Sequence, residues 1–73
     1  MIDIELAQRL SRGTVLHHIT AKNRDGTPVR ARVNGKCRVW KTRPAEFQLP
    51  LKYGLFECFY LTPEKGKFWE VAE

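Results

Sequence analysis

The stretch Pro28-Val29-Arg30-Ala31-Arg32-Val33-Asn34-Gly35-Lys36-Cys37-Arg38-Val39-Trp40-Lys41-Thr42 carries the clearest structural signal in the chain. Apolar and basic residues alternate on both sides of Asn34-Gly35. Alternation with a period of two marks a strand with one face in the core and the other in water, and Asn-Gly tolerates the positive φ of a tight turn. The stretch therefore predicts a β-hairpin. Two registers compete. A two-residue turn sets Val33 against Lys36 and Ala31 against Arg38, which mixes apolar and charged side chains on both faces. A loop one residue longer, with Gly35 in the left-handed position of a bulged turn, sets Ala31 against Cys37 and Val29 against Val39. The second register is preferred. It gathers Val29, Ala31, Val33, Cys37 and Val39 on a core face and Arg30, Arg32, Lys36, Arg38 and Trp40 on a basic one.

Upstream of the hairpin, Thr14-Val15-Leu16-His17-His18-Ile19-Thr20 is rich in β-branched residues and reads as a strand. A polar connection with a second turn signal at Asp25-Gly26 joins it to Pro28, so residues 14–42 are expected to form a three-stranded antiparallel meander. His17 and His18 point to opposite faces, and no ligand spacing for zinc is present; neither metal nor cofactor is expected. At residues 1–12, Ile2, Leu6 and Leu10 recur at helical spacing behind Asp3 as an N-cap, with Gly13 as a stop; a short helix, or else a loose tail, is expected there.

Downstream, residues 46–71 supply the closing strands. Phe47, Leu49 and Leu51 share a face, but Pro50 lacks a ladder donor, so this run is expected to be a short edge strand or an extended loop. Lys52-Tyr53-Gly54 turns the chain. Leu55-Phe56-Glu57-Cys58-Phe59-Tyr60-Leu61-Thr62 is the most apolar stretch and is expected to be a long central strand. Pro63 to Gly66 reads as a turn and Lys67 to Val71 as a last short strand returning alongside. Five to six short strands in so small a chain point to one mainly β domain over residues 1–73. Its expected form is a small antiparallel SH3-like barrel, or a strongly bent meander with a short N-terminal helix. The expected core is Val15, Leu16 or Ile19, Val29, Ala31, Val33, Val39, Leu49, Leu55, Phe59 and Leu61.

At 73 residues the chain is near the lower limit for a core that needs no disulfide or metal, and it has little room for a buried cleft. Hydrophobic residues at 42% and charged residues at 29% fit an ordinary globular domain and argue against a disordered chain. No apolar run approaches the ~20 residues that span a bilayer, and no basic start with an apolar h-region is present, so a cytoplasmic protein with no membrane contact is expected. Cys37 and Cys58 lie inside strand patterns and are expected to be free, buried thiols; a single disulfide is the alternative if their strands are adjacent, and a cytosolic chain argues against it. The net charge of +5 is unevenly placed: residues 1–25 carry four basic and three acidic groups, residues 26–45 six and none, and residues 46–73 three and five. An acid-free block of that length suggests either an anionic partner or neighbouring acids supplied by the fold.

The run Asp25-Gly26-Thr27-Pro28-Val29-Arg30-Ala31-Arg32-Val33-Asn34-Gly35-Lys36, then Trp40-Lys41-Thr42-Arg43-Pro44 and Lys52-Tyr53-Gly54-Leu55, resembles small single-domain proteins encoded by bacteriophages and prophages. The resemblance covers about half the chain. It implies a phage or bacterial cytoplasmic origin and brings no activity or site residues with it.

Three classes of function are weighed. Nucleic-acid binding would use Arg30, Arg32, Lys36 and Arg38 on phosphates, since clustered guanidinium groups repel one another and phosphate relieves that repulsion while releasing counterions. Trp40, flanked by Lys41 and Arg43, would then stack on an unpaired base, unless it caps the core edge. The alternative is a phage-type interaction module that binds or inhibits a host protein, anchored by Trp40, Tyr53 and Trp69. An enzyme is not expected: the sequence shows no nucleophile beside a base, no paired carboxylates and no phosphate-binding glycine loop.

Overall fold

Over residues 1–72, the part described by a computed structural model, the chain forms six strands and two short helices. These are α1 (Ile4–Arg9), β1 (Val15–Lys22), β2 (Pro28–Val33), β3 (Arg38–Trp40), β4 (Arg43–Tyr53), β5 (Glu57–Leu61), α2 (Pro63–Gly66) and β6 (Trp69–Val71). All pairings are antiparallel. Strand β1 lies between β6 and β2, β2 reaches β4, and β4 also pairs β3 and β5. Although β5 and β6 stand far apart in this order, the rings of Phe59 and Trp69 approach to 5.9 Å between centroids. The sheet is therefore curled into a half-barrel, and its inner face holds the core.

Asp3 caps α1 as expected, its carboxylate accepting from the Leu6 N–H at 2.9 Å. A six-residue helix cannot stand alone, and this one is held by tertiary contacts. Ile2 and Ala7 are fully buried, and the Ile2 N–H donates to the Gly66 carbonyl at 2.8 Å. The two chain segments meet so closely that any side chain at position 66 would strike the Ile2 carbonyl oxygen. Asp25-Gly26 turns the chain between β1 and β2, with Gly26 at φ 87°.

The expected Asn34-Gly35 hairpin does not form. Strand β2 pairs with β1 and β4, and β3 pairs only with β4. From Arg32 to Val39 the chain runs down β4, opposite Lys52 and Leu51 first and Gln48 and Phe47 later. In between, Asn34, Gly35, Lys36 and Cys37 stand opposite only Leu49 and Pro50. The segment is a bulge within one bent antiparallel run, so the meander of residues 14–42 reduces to the β1–β2 pair, and the chain reverses at Lys41-Thr42 instead. The faces of β2 nonetheless follow the alternation, with Ala31 and Val33 buried and Arg30 and Arg32 exposed. Gly35 does not take positive φ. What it supplies is room, since a Cβ there would lie 3.2 Å from Pro50 Cγ.

That bulge explains why β4 is an eleven-residue central strand and not the expected short edge. In an extended strand the N–H and C=O of one residue point the same way. The Pro50 carbonyl accepts from Asn34 N–H at 2.8 Å, so the missing Pro50 donor faces the bulge, where the ladder is already broken. Conversely, Leu55 to Thr62 is not central. Gly54, at φ 67°, and the exposed Leu55 and Phe56 form a tip, and β5 is an edge strand. Residues 63–66 wind into one helical turn where a plain turn was expected, and β6 pairs with β1.

The core comprises Ile2, Ala7, Leu16, Ala31, Val33, Phe47, Leu49, Leu51, Leu61 and Trp69. Of the expected core residues, Val15, Val29 and Phe59 are half-buried, and Val39 and Leu55 are exposed, as is Ile19. His18 is occupied structurally: its Nδ1 accepts from the Ala21 N–H at 2.8 Å, which leaves the ring proton of the neutral form on Nε2. The ring packs on Phe68 and Trp69. The same contact accompanies the irregularity in β1 between His17 and Lys22.

Candidate nucleic-acid interface

The outer face of the half-barrel is built by strand register. Arg32 stands opposite Val15 on one side and Lys52 on the other, and Lys52 in turn stands opposite Cys58. Side chains so placed share a face, with Cβ atoms about 4.5–5.5 Å apart. Arg30, two residues from Arg32 and opposite His17, lies on that face too. So does Arg38, whose partner Gln48 alternates with Pro50 and Lys52 along β4. All four cations are exposed. Arg30, Arg32 and Lys52 line one open recess together with Val15, Gly54 and Leu55.

An acid, Glu70, shares the outer face at its margin, where it stands opposite His17 and so in line with Arg30 one strand further in; it is not adjacent to Arg32 or Lys52 in register. Glu57 pairs in register with Tyr53, on the opposite face from Lys52. Glu70 is set at the sheet's far edge beside His17, with its Oε2 3.8 Å from His17 Nε2 and its Oε1 3.8 Å from the amino terminus. Like charges directly opposed across strands cost stability, and among the described residues no carboxylate forms an ion pair with Arg32 or Lys52.

The remaining residues singled out from the sequence fall elsewhere. Lys36 sits in the bulge and lines a second open recess with Arg9 and Arg12 at the end of α1. Lys41 is in the β3–β4 turn. Arg43 is engaged with Glu46, Nη1 to Oε2 at 3.4 Å. Trp40 is half-buried and lines a third recess with Arg43, Glu46 and Pro63. The expected single basic face is thus three clusters, because the bulge turns Lys36 away and the β3–β4 turn carries Trp40, Lys41 and Arg43 to the end of the sheet. Of the three expected protein anchors, Tyr53 is partly exposed, Trp40 is half-buried, and Trp69 is overturned: it is 7% exposed, packed on Phe59 and His18.

Lys52 escapes the sequence reading because Lys52-Tyr53-Gly54 reads as a turn, whereas β4 continues through Tyr53. Continuing the alternation of Phe47, Leu49 and Leu51 would have put it on the outer face. Both cysteines are free; Cys37 is half-buried and Cys58 is exposed where burial was expected. Burial pushes the Cys37 thiol pKa up, which keeps it protonated and a poor nucleophile. Among the described residues, no three of His, Cys, Asp and Glu gather where they could hold a metal ion, and no helix is long and apolar enough to cross a membrane.

The chain matches no protein family, and no curated protein or solved structure is significantly similar to it.

Proposed function

We propose that the protein is a small nucleic-acid-binding module that holds the phosphate backbone on the row Arg30, Arg32, Lys52 and Arg38, and that its curled sheet is an SH3-like half-barrel. The observation that carries this reading is the directly opposed Arg32–Lys52 pair on an exposed face, flanked in register by Val15 and Cys58 and by no acid among the described residues. Two cations held face to face in water are a stability cost that a bound phosphate turns into a gain, and each phosphate contact adds counterion release. Four such contacts give micromolar-class affinity at physiological salt, in the range of sequence-independent binding. Lys41, Arg43 and Lys36 lie on separate surfaces and contribute through the wider positive field.

The reading is tested by titrating labelled oligonucleotides with the wild type, with Arg32→Glu/Arg38→Glu and with Lys41→Glu. Charge reversal on the row should abolish most binding, and reversal at Lys41 should have a small effect. Equal losses would place the interface elsewhere. Capture of a partner from lysate that survives nuclease treatment would favour a protein partner instead.

A further inference from the structure

We infer that the β4–β5 tip is the base-contacting element of this interface and that the ligand class is single-stranded nucleic acid, an inference that rests on the nucleic-acid reading above. Gly54 takes positive φ and turns the chain so that Leu55 and Phe56 project, 79% and 91% exposed. Of the nine large hydrophobic side chains exposed among the described residues, these two are the most exposed and are adjacent, so together they present the least protected apolar surface. Leu55 lines the same recess as Arg30, Arg32 and Lys52. Glu57, the nearest acid in sequence, is directed to the opposite face by its register with Tyr53. Phosphate-binding cations and an apolar, aromatic tip are thereby contiguous.

A duplex offers phosphates but keeps its bases stacked inside, whereas an unpaired strand offers phosphates and base faces together. Aromatic side chains beside a basic track are the means by which single strands are bound without sequence preference. An anionic bilayer also accepts an apolar tip beside cations. The charge here does not ring the tip, however. It runs across the sheet to Arg38, opposite Gln48, four residues or about 13 Å along β4 from Lys52. A track of that length suits a strand backbone, and a bilayer would reach only the cations nearest the tip.

The test compares oligothymidine with a duplex of equal length for wild type, Phe56→Ala and Phe56→Trp, all at low salt. Phe56→Ala should weaken single-strand binding about tenfold, the loss of one base stack, with duplex binding within about twofold of wild type. Phe56→Trp should restore it. Since Phe56 is exposed, both variants should melt with the wild type. Wild-type binding that Phe56→Ala leaves unchanged, or lowers equally for both ligands, overturns the tip assignment while the nucleic-acid reading stands. Absence of wild-type binding to either ligand overturns both. Phe56-dependent binding to phosphatidylserine vesicles without oligothymidine binding assigns the tip to a membrane surface and overturns the inference.

Discussion

Replacing Lys52 by Glu should stabilise the fold and weaken the function at once. Lys52 stands directly opposite Arg32, and both are exposed. Opposed like charges cost about 0.2–1 kcal/mol and opposed unlike charges contribute a similar amount. Screening by water holds the full swing to about 0.5–1 kcal/mol. For a domain of this size that raises Tm by about 2–8 °C. Lys52→Gln, which removes the repulsion without adding attraction, should fall between the two. Thermal melts followed by circular dichroism check this at low salt and at about 1 M, where the Debye length falls to about 3 Å and the gain should shrink. The same Lys52→Glu protein should bind oligonucleotides more weakly, a loss that unfolding cannot explain when Tm has risen. An unchanged or lower Tm at low salt would refute the charge argument, and a gain that persists in high salt would show that packing causes it.

Phe47 is fully buried between the sheet and Gly66, so Phe47→Ala should cost about 3–5 kcal/mol. That is a large share of the roughly 4–11 kcal/mol expected for a chain of this length; urea denaturation measures it, and a midpoint near wild type would show that Phe47 is not a core anchor. Alkylation of the native protein at neutral pH, read by mass spectrometry, should label the exposed Cys58 well before the half-buried Cys37. Burial raises the Cys37 pKa and so lowers its thiolate fraction at any pH below that value. Equal rates would contradict the burial assigned to Cys37.

The local signals of the sequence were legible wherever a single segment determined the outcome. Asp3 caps its helix, Asp25-Gly26 turns the chain, and Ala31 and Val33 go inward while Arg30 and Arg32 go outward. What failed was pairing. Asn34-Gly35 has the chemistry of a hairpin turn, but the same pair also suits a bulge, and the choice lies with a partner strand distant in sequence. Strand β4 takes both neighbours because Phe47, Leu49 and Leu51 all reach the core, and Pro50 is tolerated because its missing donor meets the bulge. Apolar content misplaced the last third for a related reason. Leu55 and Phe56 resemble core residues until the turn at Gly54 lifts them off the sheet, and Trp69 resembles a surface anchor until β6 folds it onto Phe59. The candidate site suffered accordingly: three of its four row residues were legible in β2 and β3, and Lys52 entered only through strand register.

The most direct measurement is the salt dependence of oligonucleotide affinity. Four phosphate contacts by Arg30, Arg32, Lys52 and Arg38 should give a slope of log K against log salt of about −3.6 on duplex DNA and about −2.8 on a single strand. Reversing Arg32 and Arg38 should flatten both. A slope near zero, or no detectable binding even at low salt, would contradict the assignment of this face to nucleic acid.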